Sequence, residues 1–346
     1  MKRYLRLAGV IVGVCLAGCR TEPAAKLERF TAAELHMATM FAITLYAPDQ
    51  TAADQAFKAA FERVAVLENV MSDYDAQSEL SRLCRQPAGT PVKVSRDLYR
   101  ILEQGVRMAE RSGGAFDPTI GPLVRLWRQS RKTHRLPSAE EIAAAKSRVG
   151  YRNLELDARH QTVTLKRSDL QLDLGGNGKG FAADEALAVL KQYGMGRAMV
   201  AASGDIALGD PPPGKTGWEI GIASIDHPRE GLTSALHLAH AGVSTSGDTE
   251  QFVEIDGRRY SHIVDPATGL GLTHRIGVTV IAPNATLSDS LDTTLSVLGS
   301  DRGMKLVQSL SGVSALFVLL EGAEIKQIES VNFNRYRTPP RVERGH

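Results

Sequence analysis

A glycine-rich turn between two periodic segments is the feature that most constrains this chain. Residues 170–174 alternate between apolar and polar side chains, which predicts a short β-strand. Four glycines follow within residues 175–180. Apolar residues then recur with helical spacing over residues 181–193. The sequence therefore predicts a strand, a glycine turn and a helix in direct succession.

This turn has the composition of an anion-binding site. Glycine lets backbone N–H groups come close to a ligand, and the N-terminus of a helix attracts negative charge. Lys179 adds a mobile positive charge, so a phosphate or pyrophosphate is the expected guest. Residues 178–183 fit the G-x-G-x-x-A dinucleotide pattern, but the nearest candidate for its downstream acid, Asp205, is poorly placed. The alternative is a tight turn that binds no ligand, and the turn by itself leaves both interpretations open.

Length and charge limit the class of protein. A chain of 346 residues is long enough for one large or two ordinary domains, and its 43% apolar content supports a sizeable core. The 41 Lys and Arg residues nearly balance the 39 Asp and Glu residues. Because a nucleic-acid-binding protein carries a clear basic excess, we expect no nucleic-acid partner.

The N-terminus predicts export and lipidation. Three basic residues precede a short apolar run over residues 7–16, which is too short to span a bilayer. The run ends in Leu16-Ala17-Gly18-Cys19, which resembles a bacterial lipoprotein signal. We therefore predict a signal peptide over 1–18, lipidated Cys19, a tether over 19–34, one folded domain over 35–338, and a periplasmic, membrane-anchored protein. The alternative is an ordinary secretory signal with an incidental cysteine. In either case Cys84 is left without a disulfide partner, and we expect it to pack as a small apolar residue.

The rest of the chain mixes helical and strand patterns. Hydrophobic spacing and capping residues predict helices over 52–71, 95–112, 138–147 and 284–298, the last ended by Gly299. Alternating segments predict strands over 37–45, 154–156, 162–166, 197–201, 218–222, 235–238, 277–282, 313–320 and 328–333. Asp256-Gly257 predicts a hairpin turn, and the prolines and glycines of 114–122 predict a defined loop.

Several side chains between these elements are candidates for ligand contacts. Met71 and Tyr74 are suited to packing on a flat ring, with simple core packing as the alternative. Asp117 either caps a turn or bonds a ligand donor. The Ser203-Gly204-Asp205 segment places small residues and an acid at the end of a strand. His262 is suited to exchanging a proton with a hydroxyl, although a single histidine is also compatible with a structural role.

A carboxylate and a hydroxyl share one face of the last predicted helix. Asp289 and Thr293 are four residues apart, and Asp292 lies one step off that face. Such hard oxygen ligands suit Mg²⁺ bound together with phosphates. The alternative is an exposed Asp289 and a Thr293 hydroxyl bonded back to its own helix.

The order of these motifs along the chain resembles the ApbE-type FAD:protein FMN transferases, which are exported bacterial lipoproteins. The resemblance covers residues 37–299 or more. It rests on Met71 and Tyr74 with Ser78-Glu79-Leu80, Phe116-Asp117-Pro118, Leu172-Asp173-Leu174-Gly175-Gly176 with Lys179-Gly180, Ser203-Gly204-Asp205, Ser246-Gly247-Asp248, His262 to Pro266 with Thr268-Gly269, and Asp289 with Thr293.

The resemblance implies an α+β fold with largely antiparallel sheets, packed helices and one elongated FAD cleft. It also implies Mg²⁺-dependent transfer of FMN from FAD to a Ser or Thr of a target protein through a phosphoester, with release of AMP. The acceptor would be a protein with a short Ser/Thr motif, typically a subunit of a membrane redox complex.

The resemblance also assigns roles to residues. The metal ligands would be Asp289, Thr293, a backbone carbonyl at Gly178 and a group at Asp292. Flavin or nucleotide contacts would come from Met37, Met71, Tyr74, Ala115, Phe116, Asp117, Gly175, Phe181, Ser203, Gly204, Asp205 and Ile263. His262 would take part in proton transfer, with Lys179 and Asp265 as further catalytic residues. Departures from the family pattern occur at Asn177-Gly178 and at Thr249-Glu250-Gln251.

Two rival functions use the same site. One is Mg²⁺-dependent hydrolysis of FAD to FMN and AMP, with water as the acceptor. The other is a flavin-binding lipoprotein without turnover.

Overall fold

The computed structural model describes residues 26–223, 232–247, 252–322 and 324–337. The predicted signal peptide, Cys19 and the first part of the tether lie outside these residues, as do residues 249–251 and the predicted domain end at 338. None of the helices in the described ranges is both long enough and apolar enough to cross a bilayer.

An eight-stranded antiparallel sheet forms the centre of the described structure. Its order is β1-β2-β6-β7-β10-β13-β14-β15. These strands span Glu28–His36, Thr39–Ala47, Ala198–Ala202, Asp205–Leu208, Gly242–Gly247, Arg275–Ala282, Ser314–Glu321 and Glu324–Glu329. Every neighbouring pair in this sheet is antiparallel, which confirms the predicted α+β class.

The described residues also form three small antiparallel sheets. They comprise β3 (Pro91–Lys93) with β5 (Thr162–Leu165) and β4 (Leu154–Asp157), β8 (Trp218–Ala223) with β9 (Leu232–Leu238), and β11 (Phe252–Ile255) with β12 (Arg258–Ser261). The last pair confirms the hairpin at Asp256-Gly257, where both residues have positive φ, of 52° and 72°.

Seven α-helices lie in the described ranges. They are α1 (Gln50–Met71), α2 (Glu79–Cys84), α3 (Arg96–Ser112), α4 (Gly121–Thr133), α5 (Ala139–Lys146), α6 (Gly178–Gln192) and α7 (Ala285–Gln308). Predicted caps hold at α3, where the Ser95 hydroxyl accepts from the Leu98 N–H and Gly113 ends the helix in the left-handed region. Gly299 likewise interrupts α7 with φ 71°, and a second helical segment continues to Gln308.

The largest core lies between strand β2 and the helices α1, α3 and α6. Phe41, Ile43 and Leu45 of β2 are at most 1% exposed. A second core packs α7 against β13 and β14, and a third packs the β8–β9 hairpin against the other side of the central sheet. Cys84 is partly buried against the first core, as predicted, and its sulfur accepts a hydrogen bond from the Leu172 N–H.

Three sequence predictions about elements are wrong, and one helix was not predicted. Residues 28–34 do not belong to a tether, because β1 pairs with β2 over its whole length; as an edge strand it keeps the polar composition that suggested a linker. Residues 170–174 bury Leu170, Leu172 and Leu174 but form no strand, since their backbone bonds to loop atoms such as the Pro118 carbonyl. Helix α4 follows the predicted loop without having been predicted, and the last strand ends at Glu329, before Phe333.

Candidate functional site

One cleft collects nearly all of the predicted site residues. It has a volume of about 880 Å³ and is bounded by the β1–β2 turn, the loop after α1, helix α4, the glycine turn, the β6–β7 turn, residues 262–264 and helix α7. Predicted residues that line it are Met37, Met71, Tyr74, Ala115, Phe116, Asp117, Gly175, Gly178, Lys179, Ser203, Gly204, Asp205, His262, Ile263, Asp289, Asp292 and Thr293. The volume lies in the upper part of the range of small-molecule sites.

Three buried carboxylates meet within the cleft. Asp205 begins β7, and Asp289 and Asp292 lie one turn apart on α7. Each is at most 3% exposed, and one carboxylate oxygen of each lies within 4.8 Å of the others. We call these three residues the acidic cluster. The alternative of an exposed Asp289 is therefore wrong, and Asp205 joins the candidate metal ligands.

Burial and mutual repulsion disfavour the charged forms of this cluster. Burial first, and then the Asp205 carboxylate, raise the pKa of Asp289 to about 7. The pKa of Asp292 is raised well above its ordinary value by burial and by both neighbouring carboxylates. A bound cation would reverse these penalties, because carboxylates that repel one another become its ligands.

The Lys179 side chain is paired with the acidic cluster. Its ammonium forms an ion pair with Asp205. Burial acts to lower the pKa of Lys179, but the charges of Asp289 and Asp205 outweigh it and raise that pKa overall. The side chain is therefore held against a buried acid, while its contact with a phosphate stays a prediction. When all three carboxylates are ionised, they outnumber the one ammonium, and this surplus of negative charge would be neutralised by a divalent cation.

The close approach of two helices explains the glycine at position 180. A Cβ on Gly180 would lie 2.2 Å from the Ala285 carbonyl oxygen and 2.8 Å from Cβ of Asp289. In addition, the Gly180 N–H donates to the Asp289 carboxylate over 2.7 Å. The helix α6 begins at Gly178 rather than at residue 181, so Gly180 lies within its first turn. This glycine therefore lets α6 and α7 come together and holds a cluster carboxylate in place.

Gly176 lies where the turn approaches the cleft. A Cβ at this position would meet the Phe116 ring at 3.0 Å and the Thr293 side chain at 3.4 Å. The Thr293 hydroxyl lies 3.3 Å from Oδ1 of Asp292, so it borders the acidic cluster. The expected juxtaposition of the glycine turn with Asp289 and Thr293 is therefore present.

The α7 N-terminus is held by groups that place the acidic cluster. The Asn284 side chain accepts from the Leu287 N–H, as predicted for a cap. Asp184 of α6 accepts from the N–H groups of Ala285 and Thr286 and from the Thr286 hydroxyl. Hydrogen bonds from the N-terminus of α7 to Asp184 of α6 thus join the two helices next to the acidic cluster.

An arginine fixes the aromatic end of the cleft. The Arg128 guanidinium pairs with Asp73 and lies 3.2 Å from the Asp173 carboxylate. It also covers the Tyr74 ring, with its carbon 4.1 Å from the ring centroid. Because Asp173 accepts from the Gly175 N–H as well, Arg128 joins the loop of Tyr74 to the glycine turn. The sequence did not point to Arg128, because helix α4 was not predicted. The acidic Asp173 beside Gly175 was the one sequence feature that could have indicated a basic partner at this place.

The Asp117 carboxylate stabilises the loop beside Phe116 by accepting hydrogen bonds. Its Oδ1 accepts from the N–H and hydroxyl of Thr119, and its Oδ2 accepts from the Tyr151 N–H. Burial raises the pKa of this carboxyl despite these hydrogen bonds. Of the two interpretations offered by the sequence, the turn cap is confirmed, and both carboxylate oxygens are used within the protein.

Two predicted site residues do not line the cleft. Phe181 is 2% exposed in the largest core, under the Arg100 guanidinium, so the predicted nucleotide contact is wrong. The Asp265 carboxylate accepts from the Ala267 N–H, and its backbone bonds to Gly269 and Leu270. Asp265 therefore forms the turn after His262 and does not line the cleft, while its catalytic role stays a prediction.

The backbone turns beside the cluster also need small residues. Ser203 has φ of 56°, and a Cβ on Gly204 would lie 2.8 Å from the Thr245 carbonyl oxygen. This two-residue turn aims Asp205 into the cleft at the start of β7. Small residues are thus required by packing, next to an acid that faces the cleft.

An antiparallel α+β body with a large cleft and a buried acidic cluster defines a ligand-binding protein of enzymatic type. The chain belongs to the ApbE family: the sequence model of that family matches residues 37–317.

Named relatives and solved structures agree with this membership. A protein of Treponema pallidum (strain Nichols), named FAD:protein FMN transferase, is 32% identical over 327 residues, spanning 90% of this chain and 89% of that protein. An Escherichia coli (strain K12) protein of the same name is 31% identical over 274 residues, with 78% of each chain covered. The structure of the flavin transferase ApbE from Vibrio cholerae superposes with a TM-score of 0.81 at 27% identity, covering 90% of this chain and all of that one. The apo form of the Pseudomonas stutzeri flavinyl transferase ApbE gives 0.78 at 31% identity, with 90% and 96% covered.

Proposed function

We propose that this protein is an FAD:protein FMN transferase that moves FMN from FAD to a Ser or Thr of a target protein in a Mg²⁺-dependent reaction. The product is a phosphoester, and AMP is released. The observation that carries the proposal is the buried acidic cluster in a cleft of about 880 Å³. Relatives at 31–32% identity are named FAD:protein FMN transferase, which supports FAD as the donor and a protein as the acceptor of FMN.

The donor set suits Mg²⁺. Asp205, Asp289 and Asp292 offer hard oxygen atoms, with the Thr293 hydroxyl and the Gly178 backbone as further candidates. Mg²⁺ held there would draw negative charge from the FAD diphosphate and make AMP a better leaving group.

The chain's own residues would orient FAD and the acceptor. The side chains of Met71, Tyr74, Phe116 and Ile263 offer an apolar and aromatic wall to the flavin. The Lys179 ammonium pairs with the Asp205 carboxylate and holds it in place. His262, which also lines the cleft, would take the proton of the acceptor hydroxyl. The hydroxyl oxygen bonds to the FMN phosphorus, and the bond from that phosphorus to the oxygen of AMP breaks.

One incubation separates the candidate functions. Purified protein is mixed with FAD and Mg²⁺, with and without co-expressed candidate acceptors; AMP is measured, and each acceptor is weighed by mass spectrometry. A covalent FMN adduct with matching AMP supports the transferase. AMP with free FMN alone would identify a hydrolase, and bound FAD without AMP a flavin-binding protein.

A matched pair of variants tests the acidic cluster. Asp292→Asn removes one buried carboxylate, whereas Asp301→Asn removes an exposed one from the second part of the same helix. We expect the first to lose Mg²⁺-dependent AMP release and the second to retain it. Equal activities would refute the assignment of the cluster.

We also propose that Cys19 anchors the protein to a bacterial membrane on the periplasmic side. The acceptor would then be a membrane redox-complex subunit within reach of the cleft. Labelling with a radioactive fatty acid should mark the wild-type protein and not Cys19→Ala. A label that persists in the variant would exclude Cys19 as the lipidation site.

A further inference from the structure

One face of helix α4 lines the cleft. Ile120, just before the helix, and Val124, Arg128 and Arg131 within it all border the cavity. Their spacing of four, four and three residues places them on a single helical stripe. The two arginines at its end thus present positive charge next to Tyr74.

These two arginines differ in their partners. Arg128 pairs with Asp73 and Asp173. Arg131, half-buried one turn further on, forms no ion pair or side-chain hydrogen bond within the described parts of the chain. Burial, and then the Arg128 charge, lower the pKa of Arg131, which is the mark of a cation without compensation.

The end of α4 does not by itself account for Arg131. A basic residue in the last turn of a helix interacts favourably with the helix dipole. Lys132 lies in the same turn and supplies a positive charge for this interaction with the helix dipole. It is exposed and does not line the cleft. What distinguishes Arg131 is its burial and its place on the cleft wall.

We propose that Arg131 recognises an acidic side chain of the acceptor polypeptide, close to the hydroxyl that receives FMN. The inference rests on the proposed function. The strongly charged part of FAD is its diphosphate, which that function places at the acidic cluster. A neutral flavin ring supplies no anion, whereas a carboxylate would satisfy a half-buried guanidinium in two hydrogen bonds. The neighbouring Tyr74 is 76% exposed, so this end of the cleft is open to an incoming polypeptide.

A display library of short peptides tests the proposal and requires no identified acceptor protein. Peptides with one central Thr and random flanks are incubated with FAD, Mg²⁺ and enzyme, and flavinylated members are captured with an anti-flavin antibody and sequenced. We expect wild-type enzyme and Lys132→Gln to enrich Asp or Glu near the Thr. Arg131→Gln should lose that enrichment, and Arg131→Glu should replace it with Lys or Arg.

Kinetics with the best acidic peptide give a second readout. Arg131→Gln should raise the peptide KM about tenfold, as for a lost charge-assisted contact, and leave the Kd of FAD unchanged. Flavinylated peptides with no acidic preference would overturn the proposal. A matching tenfold loss of FAD affinity would also overturn it, since Arg131 would then contact the flavin. If wild-type enzyme flavinylates no peptide and no protein acceptor, the transferase function itself fails.

Discussion

Replacing Asp289 with Asn should make the metal-free protein more stable and remove its response to Mg²⁺. The Asp289 carboxylate is buried beside Asp205 and Asp292, and without a cation its charge is opposed by both burial and repulsion. Asn keeps an oxygen that can accept from the Gly180 N–H, so the contact between α6 and α7 survives. The substitution therefore removes the charge with little change of shape.

The size of the effect follows from the pKa of Asp289. Folding raises it from 3.8 to about 7, so the folded, metal-free protein holds a proton that the unfolded chain has already released. Stability is therefore highest at or below about pH 4 as far as this group is concerned, and falls as the pH rises towards 7. The full loss is on the order of 4 kcal/mol.

Thermal unfolding in EDTA and in Mg²⁺, from about pH 5 to about pH 8, measures this directly. Wild-type protein should lose several degrees of Tm with rising pH in EDTA and recover them in Mg²⁺, more so at the higher pH. Asp289→Asn should show a flatter pH profile in EDTA and a much smaller response to Mg²⁺. Asp301→Asn, the exposed control, should behave as the wild type.

The reasoning fails if the wild-type Tm in EDTA is independent of pH over this range. It fails equally if Asp289→Asn keeps the full stabilisation by Mg²⁺, because the ion would then be held elsewhere.

Three further predictions address the packing, the chemistry and the aromatic end of the site. Gly180→Ala should lower the free energy of unfolding in urea by several kcal/mol, because its Cβ would lie 2.2 Å from the backbone of Ala285. Gly176→Ala should lower it much less, since the nearest contact of its Cβ is the Phe116 ring at 3.0 Å. Equal losses for the two variants would contradict the packing argument. His262→Ala should lower transfer to the acceptor by about 10²–10⁴ at saturating FAD with an unchanged Tm, and a wild-type rate would remove His262 from the chemistry. Arg128→Met should weaken FAD binding in a fluorescence titration, because the Tyr74 loop loses its link to the glycine turn; an unchanged Kd would show that the link is dispensable.

The sequence predicted local structure best where one residue determines an outcome. The Ser95 cap, the Asp256-Gly257 hairpin and the interruption at Gly299 each follow from a side chain or a positive φ, and all three are present. Strand β1 was missed because an edge strand needs few apolar residues, so its composition is that of a linker.

The acidic cluster shows the limit of such reasoning. Spacing along α7 brought Asp289 and Thr293 together, but Asp205 joins them only through the packing of β7 against that helix. The sequence left the glycine turn open between an anion site and a tight turn without a ligand, and did not predict that Gly180 would serve the approach of two helices or that Lys179 would pair with Asp205. Both outcomes depend on contacts between segments that are distant along the chain. The hydrophobic periodicity of one segment gives no information about such contacts.

The absence of room at Gly180 bears on which ion the cluster would accept. Only a hydrogen atom fits between α6 and α7 at Gly180, so the helices cannot come closer together, and the bond from the Gly180 N–H to Asp289 opposes their separation. That bond therefore holds one member of the acidic cluster, the Asp289 carboxylate, rigidly against α6. A larger cation such as Ca²⁺ needs more ligands and more yielding geometry, so we expect this rigidity to discriminate in favour of Mg²⁺.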